Sequence, residues 1–354
     1  MRHGVVMRDT DPAKWYFAWP SVAVTESGKV AVVCSGLRRR HIDPWGKTVL
    51  AVSRDGGVTF DPPRVIRNSP LDDRDAGIVS LGGERLLATC FSVDVRQYDQ
   101  WIKDALPPVE YGEARRVMDA NGPEDVAANK GSWVFLSPDG GETWDAAMRC
   151  PVNTPHGPVR LKDGRLFYLG KGFSDKDDTV AGAIECWEST DEGRTWTKKG
   201  AVPETDRAPR DMMHEPHAAV WEDRYALGAI RVHHDGWAST YLTRSCDGGV
   251  TWTEPEPSPL GGIPTHLLIH SSGALVAVYG WRKAPYGQRA RVSRDRGMTW
   301  GEEIVLRGDG EMGDLGYPCT AELPDGSLYT VYYQALPGEK NTSIQYTRWT
   351  LDEV

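Results

Sequence analysis

Three absences narrow the chain's class before any motif is considered. There is no excess of basic charge: 41 Lys and Arg stand against 50 Asp and Glu, a formal net charge of −9. Phosphate backbones bind basic faces, so nucleic acid is not an expected partner. The run Arg38-Arg39-Arg40 is the local exception, and a solvated turn accounts for it as well as a binding role does. There is no Cys-x-x-Cys pair. Cys34, Cys90, Cys150, Cys186, Cys246 and Cys319 are scattered, several of them inside apolar runs such as Val32-Val33-Cys34 and Ala88-Thr89-Cys90. Such cysteines read as small buried hydrophobes of a reducing compartment. Finally, no stretch is apolar and long enough for a membrane span, and residues 1–8 hold no secretory core. The expectation is a cytoplasmic protein without a membrane partner. Its 354 residues can form one large all-β domain or two ordinary ones.

What is present is a repeat. The pattern Ser-x-Asp-x-Gly-x-Thr-(Trp/Phe) occurs at 53–60, 137–144, 189–196, 245–252 and 293–300. Successive copies lie about 50 residues apart, except for a first gap of about 84. A period near 40–50 with turn chemistry points to propeller blades. The unit has a local logic. Asp accepts hydrogen bonds from nearby backbone N–H groups, Gly supplies a positive φ, Ser and Thr bond the turn, and the aromatic packs beneath the sheet.

A second repeat interleaves with the first: an apolar strand, a tight turn and another apolar strand, at 20–35, 76–91, 157–169, 216–230, 265–279 and 318–332. Six such hairpins predict six blades of four antiparallel strands, an all-β six-bladed β-propeller with Asp-box turns in blades one to five. The last blade ends in Thr342 to Leu351 without a box, and Gly4 to Arg8 can supply its outer strand and close the ring. The domain is then single, 1–354, with one insertion. Residues 94–130 are charged and proline-interrupted, with one helix-like stretch near 97–105. A loop this long inside a compact domain is expected to be functional, here as a lid over the channel mouth.

The five boxes and six inner hairpins resemble the sialidase (neuraminidase) superfamily and its Asp-box, BNR-repeat relatives over nearly the whole chain. The resemblance implies a Tyr nucleophile with a Glu partner, an Asp acid/base and three arginines around a substrate carboxylate. Tyr317, in Gly316-Tyr317-Pro318-Cys319 before Asp325-Gly326, looks like the nucleophile segment. Glu215 and Arg231 fall where the family has its Glu and an arginine of blade four. Asp43, in His41-Ile42-Asp43-Pro44, matches the acid/base loop, and Arg289 matches the arginine ahead of the last box, with Arg291 as a rival on the same strand face. The family's first arginine has no counterpart: Phe17-Ala18-Trp19-Pro20 carries Ala18 at its place. A bidentate arginine is the strongest handle on a carboxylate, so Arg38, Arg40 or Arg74 must substitute, or the sugar is a different one.

Further candidates come from repeat position. Asp75, in Asp72-Asp73-Arg74-Asp75, and His156, His217 and His266 all open inner strands and are expected at a shared mouth, where they would bind sugar hydroxyls. No His-x-x-x-His or similar spacing supports a metal, and no cofactor is expected. The resulting expectation is an exo-acting, retaining glycoside hydrolase for a terminal acidic sugar, with a glycan or small sugar as partner. Two rivals remain. One is a polysaccharide lyase acting on uronates through Tyr and His, and the other a glycan-binding propeller without chemistry. Ala18 favours these two.

Overall fold

Val30, Val32 and Cys34 pack into one hydrophobic cluster, while the intervening Ala31 and Val33 pack into another. Side chains alternate across a strand, so the uninterrupted apolar run 30–34 is a strand buried on both faces. The same split separates Leu275, Ala277 and Tyr279 from Val276 and Val278. Each sheet therefore presses against two neighbours, and apolar clusters fill the spaces between successive sheets all the way round. This is a wheel. In the computed structural model, which describes residues 1–173, 182–234 and 236–351, the chain forms six antiparallel sheets and is an all-β, six-bladed propeller.

Blade one runs Tyr16–Val24, Val30–Arg38, Lys47–Ser53 and Arg64–Arg67 from axis to rim. Blades two, four and five repeat that order, starting from Asp72–Gly82, Met213–Trp221 and Thr265–Ile269. Blade six is assembled from both ends of the chain. Its inner strands are Gly316–Glu322, Leu328–Ala335 and Thr342–Trp349, and Arg2–Met7 pairs with the last of these as the rim strand. Closure by the N-terminal segment is as expected, and it leaves no unpaired edge at the seam.

Each Asp box closes the outer hairpin of its blade. In the first, Asp55 Oδ1 accepts from the backbone N–H groups of Val58 (3.0 Å) and Thr59 (2.9 Å), and Oδ2 from the Thr59 hydroxyl (2.6 Å). Gly57 sits at φ +85°, where a Cβ would stand 2.4 Å from the Tyr329 ring. Glycine is therefore required there for both backbone and space.

Two local expectations are corrected. The inner strand of blade three is not continuous: Val152–Asn153 and Val159–Arg160 pair separately with Leu166–Gly172, because Pro155 and Pro158 have no N–H to give a ladder. The insertion is mostly helical, with Asp99–Ala105, Pro108–Asp119 and Pro123–Asn129. Its prolines are not interruptions. Pro108 and Pro123 each begin a helix, where a missing N–H costs nothing. These helices bury Ile102, Leu106, Ala114 and Met118 against Phe91 and Val93 of blade two, with Trp45 of blade one packed alongside. Arg39 ties the second helix down, bonding Glu113 at 2.8 Å while stacking on Trp45. Five cysteines are buried and Cys246, inside the fourth Asp box, is exposed. Among the described residues no helix is long and apolar enough to cross a membrane.

Candidate active site

Four inner strands share one irregularity. The pairing register slips at the same place in blades one, two, four and six, between residues 18 and 21, 74 and 77, 214 and 217, and 316 and 319. At each slip a non-glycine residue adopts a left-handed backbone: Trp19 (φ 54°), Asp75 (44°), Glu215 (47°) and Tyr317 (50°). A bulge re-aims a side chain. Left-handed residues other than glycine cost on the order of 1–3 kcal/mol each and gather at functional sites. Here Asp75, Glu215 and Tyr317 all line one cavity of about 590 Å³ at the channel mouth, a size suited to a small-molecule ligand.

At its centre the Tyr317 hydroxyl donates to Glu215 Oε1. Arg231 Nη1 donates to both Glu215 oxygens at 3.0 and 2.9 Å and lies 3.4 Å from the Tyr317 hydroxyl. Burial pushes the Glu215 carboxyl up, but the Arg231 charge and the Tyr317 hydrogen bond outweigh it and hold the group at about 2. Burial, then the Glu215 charge, push the Tyr317 phenol well above its ordinary range. The resting state is thus a neutral phenol bonded to a carboxylate.

Asp75 is the opposite case. Burial, with the Glu215 charge adding and Arg74 opposing, pushes its carboxyl up to about 7. Arg74 lines the same cavity. Its guanidinium lies 4.2 Å from the Trp19 ring centroid and donates to the His41 carbonyl at 3.1 Å and Asp72 Oδ2 at 3.2 Å. Trp19, one residue beyond Ala18, thus seats an arginine in the blade that lacks its own.

Other expected site residues are placed elsewhere. Asp43 is fully buried outside the cavity. Its carboxylate accepts from the backbone N–H groups of Arg39 (2.6 Å), Arg40 (2.9 Å) and Trp45 (2.9 Å), so it closes its own loop and offers no oxygen to a substrate. Arg38 is equally buried, held to Asp72 at 2.6 and 2.9 Å; it supports Asp72 and not the ligand. Arg40 is exposed and does not line the cavity. Arg289 spends its guanidinium inside blade five on the carbonyls of Gln288, Arg307 and Pro285, and Arg291 on that of Gly301.

The three histidines do converge, but beneath the cavity. His156, His217 and His266 are buried with ring centroids 4.3–5.5 Å apart. His217 Nδ1 accepts from Leu267 N–H of the next blade (3.1 Å), and His266 Nδ1 from Thr320 N–H of the blade after (3.4 Å). His217 and His266 thus tie adjacent inner strands together, the His156 ring packs against both, and none of the three lines the cavity. Among the described residues no group of three or more His, Cys, Asp and Glu is arranged to hold a metal.

Sequence reasoning missed Lys171, Asp314 and Arg282. Lys171 lines the cavity, bonding the Arg210 carbonyl (3.2 Å) and His214 Nδ1 (3.3 Å), and burial lowers its ammonium to about 8. Asp314 accepts from the Tyr16 (2.7 Å) and Tyr333 (2.8 Å) hydroxyls and faces His41 Nδ1 at 3.1 Å. Arg282 stands 5.6 Å from the Tyr317 ring centroid. A signal existed for two of them. Arg38, Lys171, Arg231 and Arg282 all lie at or near the end of a blade's second strand, a cation repeated at one position of the wheel.

Residues 117–330 match the BNR repeat-like domain. The chain belongs to the BNR repeat-like family. Within that family frame, its likeness to solved structures extends over almost its full length. A protein of unknown function from Dyadobacter fermentans is 22% identical, with a TM-score of 0.79 covering 98% of this chain and 97% of that one. The NanB sialidase from Streptococcus pneumoniae is 12% identical, with a TM-score of 0.66 covering 99% of this chain and 71% of that one. These structural matches establish the fold the proteins share, a six-bladed wheel. By sequence, the chain is 28% identical over 202 residues to the xyloglucanase Xgh74A of Acetivibrio thermocellus, covering 50% of this chain and 22% of that enzyme. A xyloglucanase of Paenibacillus sp. is 27% identical over 215 residues, 53% of this chain and 20% of that enzyme. The chain thus spans about a fifth of the length of these curated relatives. Two of its distant relatives by sequence are thus xyloglucanases, and the chain itself is a BNR-repeat propeller.

Proposed function

We propose that this BNR propeller is an exo-acting, retaining glycoside hydrolase for a terminal acidic sugar, sialic acid or a related one. The observation that carries the reading is the Tyr317–Glu215–Arg231 cluster on the cavity lining. Tyr317 Oη attacks the anomeric carbon while its proton passes to Glu215, and Asp75, protonated near neutral pH, gives its proton to the leaving oxygen. The Asp75 carboxylate then takes a proton from water, which displaces Tyr317; Tyr317 recovers its proton from Glu215. A neutral nucleophile avoids repelling a sugar acid. Arg231, Arg74 and Lys171 give the cavity three cations for the sugar's carboxylate. Asp75 replaces Asp43 in this scheme, because only the former lies on the cavity. Tyr98, from the insertion, lines the same cavity, which supports a role for segment 94–130 in covering the mouth.

The test is release of fluorophore from a sialoside by the unaltered chain and by Tyr317→Phe and Asp75→Asn. Turnover lost in both variants supports hydrolysis; no turnover by the folded unaltered chain overturns it.

A second reading is favoured by one observation. His41 lines the cavity with Nδ1 facing Asp314, the arrangement of an oriented neutral base. On the same lining as Tyr317, it suits proton abstraction from a uronate, and a rise in ultraviolet absorbance on uronate polymers would reveal such a lyase.

A further inference from the structure

We infer that a second cavity, immediately beside the first, is a subsite for an anionic sugar on the leaving-group side of the scissile bond. This rests on the hydrolase reading for its position in the reaction, though not for its chemistry. The cavity measures about 230 Å³, enough for about one sugar ring. Arg231 lines both cavities, and the His214 ring of the first meets the His233 ring of the second at 5.3 Å. The two cavities are therefore neighbours, with Arg231 and the His214–His233 pair at their border.

Its lining has two components. Trp237 and Trp281 supply aromatic surface, and Trp237 is 64% exposed, which is unusual for the largest apolar side chain and leaves a face free for stacking. Arg282 and Lys283 supply cations beside the Glu215-paired Arg231, with no Asp or Glu among the described lining residues. Lys283 Nζ lies 4.3 Å from the Trp237 ring centroid, poised to move from a cation–π contact to an ion pair. Arg282 donates its Nε to the Leu315 carbonyl (3.0 Å), while its buried Nη2 has no protein partner. A buried guanidinium N–H left open calls for an acceptor.

The floor is bare backbone. A Cβ on Gly262 would stand 2.3 Å from the Gly280 carbonyl oxygen, and one on Gly261 2.9 Å from the Trp281 ring. Any side chain there would force this packed lining apart. Aromatic faces with the Arg282 and Lys283 cations fit a sugar bearing a carboxylate or sulfate, so on this reading the substrate is an acidic glycan of at least two charged units.

Binding is read by tryptophan fluorescence and calorimetry with trigalacturonate, a sulfated disaccharide and neutral cellotriose, on the unaltered chain, Trp237→Ala and Lys283→Ala, each checked for an unchanged melting temperature. The expected result is binding of one or both anionic probes, weakened about tenfold or more in each variant and by added salt, with cellotriose not bound. Carboxylate and sulfate are separated by which anionic probe binds. Equal binding of cellotriose, or anionic binding indifferent to both substitutions, overturns the inference. Aryl sialoside turnover is followed in parallel. Anionic binding lost in Trp237→Ala with no turnover by the unaltered chain keeps the anionic-sugar site and removes the hydrolase reading. Turnover without Trp237-dependent binding does the reverse.

Discussion

The Tyr317 hydroxyl donates its hydrogen bond to Glu215 across 102 residues of chain. Neither residue is placed by its neighbours in sequence. Each stands on a bulge of a separate inner strand, and the wheel brings the two bulges to one opening. Four predictions follow from that arrangement and from the groups around it.

Tyr317→Phe keeps the ring against Trp19 and Tyr333 and leaves the Glu215–Arg231 pair whole. Turnover should fall on the order of 10³-fold or more, with the melting temperature nearly unchanged. Retained turnover in a folded variant would remove Tyr317 as nucleophile.

Asp75 sets a pH limb. Its carboxyl is raised to about 7, so kcat/KM should decline as pH rises through that value, and Asp75→Asn should lower activity about 10²–10⁴-fold and abolish the limb. The stability sign is opposite. A carboxyl raised on folding holds its proton between pH 4 and 7 when the unfolded chain does not, so stability is lost as pH rises through that window. Asp75→Asn should therefore be the more stable protein above pH 7, by on the order of 4 kcal/mol, measured by urea unfolding at pH 8.

Arg231→Met should destabilise strongly. It strands the Glu215 carboxylate beside Tyr317 in a buried site, and breaking such a pair from one side costs about 3–5 kcal/mol. Restoring most of the stability in the double variant with Glu215→Gln is the check; a double variant no better than the single one would show that the loss lies in packing.

The histidine collar should make the wheel acid-labile. Burial holds His156 at about 3 and pushes His217 and His266 well below the ordinary imidazole range. Below pH 6.5 the unfolded chain takes up protons that the folded one refuses, so stability present above that pH is lost as pH falls, approaching about 4 kcal/mol per pH unit for three such groups. His156→Leu should shallow that slope in urea titrations between pH 6 and 4.

Architecture and part of the site are legible in the residues themselves. Ser53, Asp55, Gly57 and Thr59 form a turn whose hydrogen bonds all lie within five residues, so five copies in sequence mean five turns in space. Strands such as 30–34, apolar at every position, announce burial on both faces. Tyr317, Glu215 and Arg231 are singled out by the resemblance to the sialidase superfamily, and all three lie on the one cavity. Asp43 misleads because its position in the chain is right while its loop turns the carboxylate onto three N–H groups of its own backbone. Arg289 misleads likewise, on the correct strand with its head bound within the blade.

Residue order alone determined the number of blades, the closing of the ring by Arg2–Met7 and the strands that face the axis, because these follow from short-range turns and a two-residue alternation. Only the assembled wheel decided that Asp75 and not Asp43 reaches the cavity, that Arg74 is seated on Trp19, and that His217 and His266 clasp neighbouring strands with the His156 ring packed against them. Those outcomes depend on where a bulge turns a side chain and which distant blade meets it. Such contacts join stretches tens to hundreds of residues apart, and no local pattern of residues encodes them.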